Sequence, residues 1–310
     1  MNTTSFEHAL TPTFIEALRK QAEQSGWWHD VLNDPKLIIA VRGRSLNVYW
    51  QGQAIFNVSC PNGSLRVTTH EKFLTDPELA AQVPLLEDGT FETAVLKERG
   101  LISYYNSGTG NTGTLSKLKK TAALFSGDEK RGCHEIAIRN AKVIDVEIAF
   151  PGRHVIEGDE DPWNAPRVDL AAIEEDGDHA RLVFWEAKTY RNGELRAIGD
   201  NSAPVCQQIK AYRTILASQR EAIEDSMTRV AANLVAFQKM GWKRELSPLI
   251  VDVGTGKAKL RLGDEPQVGL IVFGFDAAQR DSKVWKDHRT KLEKEIKNVR
   301  LVGDAKDIKI

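Results

Sequence analysis

The stretch Arg181-Leu182-Val183-Phe184-Trp185-Glu186-Ala187-Lys188 decides the fold. Its β-forming, apolar residues continue without polar interruption until two charged side chains end the run, which predicts a strand buried on both faces. Because side chains alternate across a strand, Glu186 and Lys188 are expected on one face and Ala187 on the other. Burying such charges costs free energy unless they are paired or bind something. This strand end is therefore a candidate site.

A second strand is predicted just before it, over Val168-Asp169-Leu170-Ala171-Ala172-Ile173, with Glu174-Glu175-Asp176-Gly177-Asp178 as the hairpin loop. If the two strands pair antiparallel, Asp169 falls near the level of Glu186, and the two carboxylates converge at one end of the sheet. A structural interpretation stays open. Asp169 could cap a strand or form a turn, and Glu186 with Lys188 could be a solvated cross-strand pair.

A helix is predicted after the second strand, and it carries Gln208-Ile209-Lys210-Ala211-Tyr212. Gln208 and Tyr212 are one turn apart, share a helix face and could position a metal site or a phosphate. Tyr212 also lies at helical spacing among apolar residues, so its ring is expected in the core. Gln208 could equally lie on the surface.

Together these pieces resemble the motifs of the PD-(D/E)xK nuclease superfamily: Pro166 with Asp169, then Glu186-Ala187-Lys188, then Gln208 with Tyr212. The resemblance covers roughly residues 113–276. It implies an α/β fold with a restriction-endonuclease-like mixed sheet flanked by helices, here preceded by a β-rich N-terminal region. It also implies Mg²⁺-dependent hydrolysis of phosphodiester bonds, in DNA rather than RNA, in defence or DNA repair. Cutting as an endonuclease and cutting from an end as an exonuclease both stay open.

The resemblance also implies roles for particular residues. Asp169 and Glu186 would ligate Mg²⁺, which Mn²⁺ can replace, because a hard cation prefers oxygen ligands and keeps several waters. Lys188 would neutralise charge on the reacting phosphate and orient the attacking water. The superfamily often adds a glutamate from the helix before the first core strand. Glu135 is the candidate here, and two further glutamates compete with it, Glu129 and Glu147.

Two rival functions stay open at this point. One is a nuclease-fold protein that binds nucleic acid or another protein without cutting it. The other is an unrelated hydrolase that uses the same carboxylates on a small phosphorylated substrate. A zinc-protease helix is excluded, because Ile138 stands where the second histidine after His134-Glu135 would be needed.

The composition, with 41% hydrophobic and 27% charged residues among 310, is that of an ordinary globular protein. The longest apolar run, residues 268–275, is too short to cross a bilayer, so no membrane partner is expected. The N-terminus lacks the pattern of an export signal. Three scattered cysteines favour reduced thiols in the cytoplasm over a disulfide framework.

The formal net charge of −1 is low for a protein that binds nucleic acid through counterion release alone. The cluster of Lys117, Lys119 and Lys120 is nevertheless a candidate for DNA contact. A homodimer with two-fold symmetry would suit cutting of both strands.

Two domains are predicted, residues 1–112 of unknown role and residues 113–310 with the nuclease-like motifs, separated by a Gly/Asn/Thr-rich segment over 106–113. A long surface loop within one domain is the alternative. Four short strands between residues 37 and 68 predict an antiparallel meander. Beyond the site, the pattern predicts one or two helices over 203–245, a buried strand over 267–275 and a last helix over 277–299.

Overall fold

A computed structural model describes residues 6–74, 82–92, 102–108, 113–150, 152–154, 163–197, 199 and 201–310 of the chain. The chain divides into two compact units. The N-terminal unit consists of His8–Gly127 and Arg229–Glu245. The C-terminal unit consists of Met1–Glu7, Asp128–Thr228 and Leu246–Ile310. Within the described residues, no helix has the length and apolarity needed to span a membrane.

The N-terminal unit contains the predicted meander as a five-stranded antiparallel sheet with strands in chain order. Its elements are α1 (Pro12–Ala22), α2 (Trp27–Asn33), β1 (Ile38–Arg42), β2 (Ser45–Trp50), β3 (Gln53–Ser59), β4 (Arg66–His70), β5 (Gln82–Leu85) and α3 (Thr114–Leu124). The turn between β2 and β3 has positive φ at both Gln51 and Gly52, the backbone that favours a tight hairpin. The β-rich character predicted for this region is thus observed.

Three aromatic residues of the N-terminal unit, Trp27, Trp28 and Phe56, lie in its core. Trp28 and Phe56 are fully buried, and Trp27 packs against both. Trp28 also contacts Phe237 edge-on, with ring centroids 5.7 Å apart. These rings therefore contribute to the core that stabilises the unit.

Helix α3 belongs to the N-terminal unit, although the sequence-based division placed it with the nuclease-like motifs. Gln53 Nε2 donates to the Phe125 carbonyl at 2.9 Å, and Ser126 Oγ donates to the Gln51 carbonyl at 2.7 Å. The first compact unit thus extends to Gly127, whereas the predicted domains divide after residue 112. Hydrogen bonds to the β2–β3 hairpin explain the difference, because they extend the first unit beyond the Gly-rich segment.

Lys119, from the predicted DNA-contact cluster, is engaged within the same unit. Its ammonium lies 2.5 Å from Asp34 and 3.9 Å from the centroid of the Trp50 ring. An ammonium that forms both an ion pair and a cation–π contact is already bound within the protein. The Lys119 side chain is therefore not positioned to contact a DNA phosphate.

The C-terminal unit is built on a six-stranded mixed sheet, so the chain is an α/β protein with helices flanking its sheets. Its strands are β6 (Val143–Ala149), β7 (Arg153–His154), β8 (Trp163–Asn164), β9 (Arg167–Asp176), β10 (His179–Thr189), β11 (Leu260–Arg261), β12 (Gln267–Phe273) and β13 (Val299–Val302). The main path runs β13-β12-β10-β9-β6, β11 also pairs with β10, and β7 with β8 forms a separate hairpin. The pairs β6–β9 and β9–β10 are antiparallel, whereas β12 is parallel to both β10 and β13.

Strand β10 lies in the middle of this sheet, and every residue from Leu182 to Lys188 is buried. The strand buried on both faces, predicted from the uninterrupted apolar run, is confirmed. Gly269 on β12 permits the packing, because a Cβ there would come within 2.4 Å of the Trp185 ring. The buried strand predicted over residues 267–275 is β12, which lies between β10 and the edge strand β13.

The helices of the C-terminal unit are α4 (Asp128–Arg139), α5 (Pro204–Ser218), α6 (Arg220–Lys239, which continues into the N-terminal unit), α7 (Pro248–Gly254), α8 (Ala277–Asp281) and α9 (Lys283–Glu295). The region predicted to hold one or two helices over 203–245 holds two, α5 and α6. The single last helix predicted over 277–299 is instead two helices. Ser282 separates them, because its side chain accepts from Trp285 N and begins a new helix.

Candidate active site

Strands β9 and β10 bring the three predicted residues Asp169, Glu186 and Lys188 together. Trp185 on β10 pairs with Leu170 on β9, so the next step of the register sets Asp169 beside Glu186. The Ala187 N–H donates to Asp169 Oδ2 at 2.8 Å. The sequence predicted that Asp169 would lie near Glu186 if the two strands paired antiparallel, and the observed pairing agrees with this.

Lys188 is held between two carboxylates. Its ammonium nitrogen lies 2.8 Å from Glu186 Oε1 and 2.6 Å from Glu194 Oε2, and its side chain is only 8% exposed. Burial lowers the pKa of Lys188, but the charges and hydrogen bonds of Glu186 and Glu194 outweigh burial and raise this pKa above its ordinary value. Lys188 is therefore cationic at neutral pH.

Glu186 combines deep burial with an unused acceptor. Its side chain is 3% exposed, and within the described residues its Oε2 atom has no hydrogen-bond partner. Burial raises the pKa of Glu186 to about 7, against the opposing attraction of Lys188. A buried carboxylate oxygen without a partner is costly, and a bound cation would relieve that cost.

Asp169 shares this electrostatic environment. Burial and then the neighbouring Glu186 charge raise the pKa of Asp169 well above its ordinary value, while the Ala187 N–H and Lys188 act in the opposite direction. Two carboxylates this close resist being ionised together. A divalent cation between them would favour the doubly ionised form, since it offsets both charges.

The donor set fits a hard, partly hydrated cation such as Mg²⁺ or Mn²⁺. Mg²⁺ is commonly held by one or two carboxylates together with waters and substrate phosphate oxygens. Asp169 and Glu186 supply two such carboxylates on neighbouring strands, and Glu186 Oε2 is an unused acceptor. Among the residues that the structure describes, no three His, Cys, Asp or Glu side chains converge as a ready-made metal cage. The arrangement therefore suits a cation that retains waters, not a closed structural zinc site.

Gln208 and Tyr212 on α5 contact each other and the start of β9. Gln208 Nε2 donates to the Tyr212 hydroxyl at 2.8 Å, and that hydroxyl donates to the Arg167 carbonyl. The Tyr212 ring is buried and packs on Phe150, as the helical spacing predicted. The pair thus fixes the backbone two residues before Asp169. Its described hydrogen bonds reach β9 and not the carboxylates.

Glu135 lies away from this cluster. Its carboxylate forms an exposed ion pair with Arg139, one turn further along α4, at 3.0 Å. Glu129 reaches the site instead, since its Oε2 accepts from Thr189 N at 3.1 Å and from Asn192 Nδ2 at 2.9 Å. The two glutamates are six positions apart, so they project from different sides of the helix. Of the competing glutamates, Glu129 is the one that α4 brings to the end of β10.

Glu147 on β6 lies next to Asp169 in the sheet, because its neighbours Val146 and Ile148 pair with Leu170 and Val168. Its φ of 52° is a left-handed backbone conformation inside a strand, which is strained for a residue with a side chain. The Glu147 carboxylate lies 3.2 Å from Arg167 Nη1 and contributes to raising the Asp169 pKa. Glu147 therefore adds negative charge at the edge of the site.

Two residues of the site, Asn192 and Glu194, have no precursor in the sequence motifs. Both lie in the turn after β10, where a short 3₁₀ helix spans Gly193–Leu195. The Asn192 side chain accepts from Glu194 N, a local bond that Asn-Gly sequences favour after a strand. That turn signal could have indicated a defined loop, although it could not have shown which side chain the loop brings to Lys188.

No protein-family model, curated protein or solved structure matches this chain. What the site offers is two carboxylates able to share a cation, one buried ammonium and a helix that fixes the strand bearing Asp169. This combination can bind a cation and stabilise an anionic reacting group.

Proposed function

We propose that the protein is a nuclease of the PD-(D/E)xK type that requires Mg²⁺ and hydrolyses phosphodiester bonds in DNA. The observation that carries this proposal is the meeting of Asp169, Glu186 and Lys188 at one end of the β9–β10 pair. The mixed sheet with flanking helices is compatible with a restriction-endonuclease-like core. Asp169 and Glu186 are the proposed metal ligands.

The chemistry divides among the residues as follows. When bound, the cation would polarise the phosphodiester and lower the pKa of water. Lys188 donates N–H to the negative charge that develops on the reacting phosphate, and its raised pKa keeps it cationic while it does so. Tyr212 and Gln208 hold the start of β9 and thereby the position of Asp169. Glu129 holds the end of β10 through Thr189 N.

The proposed substrate and setting rest on the resemblance to the PD-(D/E)xK superfamily. We propose DNA rather than RNA as the polymer, cutting by an endonuclease, and a role in defence or DNA repair. The three cysteines Cys60, Cys133 and Cys206 are free thiols, which fits a reducing cytoplasm. A homodimer would place two such sites on opposite strands of a duplex.

A cleavage assay tests the proposal directly. Supercoiled plasmid, linear duplex, single-stranded DNA and RNA are incubated with Mg²⁺, with Mn²⁺ or with a chelator. The wild-type protein is expected to cut DNA only with metal, and Asp169→Asn or Lys188→Met is expected to lower the rate at least a hundredfold, in the range lost with one transition-state donor. Glu175→Gln is the matched control, because Glu175 is exposed on the same hairpin.

The rival functions predict different results in the same assay. DNA binding that survives Asp169→Asn and Lys188→Met, with no cutting in any sample, would support a binding module that does not cleave. Turnover of nucleotides or small phosphoesters, without cutting of any polymer, would support a hydrolase of small substrates. Either result contradicts the nuclease proposal.

A further inference from the structure

The geometry of Lys188 leaves one of its three donors unassigned. An ammonium group carries three N–H donors, and fixing two of them sets the direction of the third. Glu186 Oε1 and Glu194 Oε2 occupy two positions, at 2.8 Å and 2.6 Å. Within the described part of the chain, these two carboxylates are the ionic partners of Lys188. The third N–H is the one that could meet a phosphate oxygen or a water.

Glu194 is itself held in place by the loop that carries it. Its backbone N–H donates to Asn192 Oδ1 at 2.9 Å. Asn192 Nδ2 donates in turn to Glu129 Oε2, also at 2.9 Å. The turn after β10 is therefore tied to the first turn of α4. Although the Glu194 side chain is 48% exposed, its backbone is fixed by these bonds.

The two carboxylates around Lys188 are not equivalent. Glu186 lies beside Asp169 in the sheet and is a proposed metal ligand, so a cation would compete with Lys188 for its charge. Glu194 reaches Lys188 from the loop after β10 and has no part in that ligand pair. A carboxylate outside the metal site therefore stays in place beside the ammonium when the cation is present.

We propose that Glu194 is a positioning residue that aims the third N–H of Lys188 at the reacting phosphate. This role rests on the proposed nuclease function. It depends on where the Glu194 oxygen lies, and less on the charge that this oxygen carries. Asn192 acts through Glu194, because it orients the loop from which the carboxylate extends.

Three substitutions separate position from charge. Glu194→Gln keeps an acceptor oxygen at the same reach and is expected to retain at least half of kcat. Glu194→Asp keeps the charge but withdraws the oxygen by one methylene, and Glu194→Ala removes it. Both are expected to lower kcat about tenfold or more, with KM for DNA within twofold of wild type, since a small misplacement of a reacting group is costly. Glu175→Ala, on the exposed hairpin, is the matched control.

A second measurement needs neither metal nor substrate. In the metal-free protein, the Lys188 ammonium is expected to give a distinct ¹H–¹⁵N signal, because its protons are buried and hydrogen-bonded. The signal is assigned by its loss in Lys188→Met. It is expected to persist in Glu194→Gln and to broaden or vanish in Glu194→Asp and Glu194→Ala.

The two measurements distinguish failure of this role from failure of the nuclease function. If the wild-type protein cuts no nucleic acid, the nuclease function fails, and the signal alone shows whether Glu194 holds Lys188. If the protein cuts DNA and all three Glu194 variants keep wild-type kcat, the positioning role is overturned and the nuclease function stands. An unchanged Lys188 signal in Glu194→Ala also overturns it, even for a variant with altered activity.

Discussion

The backbone N–H of Ala187 donates to Asp169 Oδ2 at 2.8 Å, so the carboxylate of one strand is fastened to the strand that bears Glu186 and Lys188. This bond orients Asp169 before any ligand binds. It also sets the two carboxylates near each other, where each disfavours the ionised form of the other. A cation between them would favour the doubly ionised form, since it offsets both charges.

Replacing Lys188 should destabilise the fold in a manner that depends on pH. Lys188→Met leaves Glu186 buried without its ionic partner, and breaking one side of a buried pair costs about 3 kcal/mol or more. Glu186 can reduce this cost by binding a proton, so we expect a smaller loss at pH 5 than at pH 8. Urea unfolding at the two pH values measures the difference.

A double substitution provides the control for that prediction. Glu186→Gln combined with Lys188→Met removes both charges and is expected to recover at least half of the stability lost in Lys188→Met at pH 8. An additive or larger loss in the double variant would contradict the assignment of Glu186 as the stranded partner.

The stability of the metal-free protein should fall as pH rises from about 4.5 to about 7. Burial raises the Glu186 pKa from its ordinary 4.5 to about 7, so the folded state holds this proton more tightly than the unfolded chain. The resulting stabilisation is full below pH 4.5 and is lost by about pH 7. The pKa of Asp169 is also raised, so its contribution to stability likewise falls as pH rises. Urea unfolding across this range should show a steeper decline for wild type than for Glu186→Gln, and parallel curves would contradict the prediction.

Removing the Tyr212 hydroxyl should loosen the start of β9. Tyr212→Phe deletes the donor to the Arg167 carbonyl and the acceptor for Gln208, which we expect to cost about 1–3 kcal/mol. Hydrogen exchange of the Ala187 amide on β10 should accelerate, because that amide donates to Asp169, which lies on the strand that the Tyr212 hydroxyl holds. Tyr190→Phe is a control with the ring retained. An unchanged Ala187 exchange rate in Tyr212→Phe would show that the hydroxyl does not hold Asp169.

The two glutamates of α4 should behave differently. Glu135→Ala removes an exposed ion pair worth about 0.3–0.5 kcal/mol and should leave DNA cleavage unchanged. Glu129→Ala strands the Thr189 N–H and the Asn192 amide, so we expect a loss of about 1–3 kcal/mol in the free energy of unfolding and slower cleavage. The free energy of unfolding and the rate of DNA cleavage, measured for both variants, show whether only Glu129 supports the site. Equal losses of stability and of cleavage in the two variants would contradict the assignment of Glu129, and not Glu135, to the site.

The central part of the fold and site could be predicted from the sequence, because it depends on local periodicity. The apolar run before Glu186 predicted a buried strand, and the acidic segment predicted a hairpin that sets Asp169 near Glu186. The predicted loop over 174–178 was too long, because β9 continues to Asp176 and only residues 177 and 178 form the turn. The spacing of Gln208 and Tyr212 predicted a shared helix face, and they do contact each other. In each case, the residues concerned lie on one element or on two strands joined by a short turn.

The parts that the sequence did not predict depend on contacts between distant elements. Choosing Glu129 over Glu135 requires the rotation of α4 about its axis, which is set by close packing of Gly132 against the Phe273 ring. Glu194 lies in a loop without periodicity, so its contact with Lys188 follows only from the turn geometry. Residues 113–127 pack with the first unit, in part through side-chain hydrogen bonds to the Gln51 and Phe125 carbonyls, which local sequence patterns do not indicate.

The central claim is that Asp169 and Glu186 hold a divalent cation beside Lys188. Anomalous diffraction from crystals soaked in Mn²⁺ tests it most directly, with Asp169→Asn crystals as the control. We predict a single strong peak within about 2.5 Å of an oxygen of Asp169 and of Glu186 in the wild-type protein, and its loss in Asp169→Asn. Manganese bound elsewhere, with no peak between these two carboxylates at saturating Mn²⁺, would contradict the account.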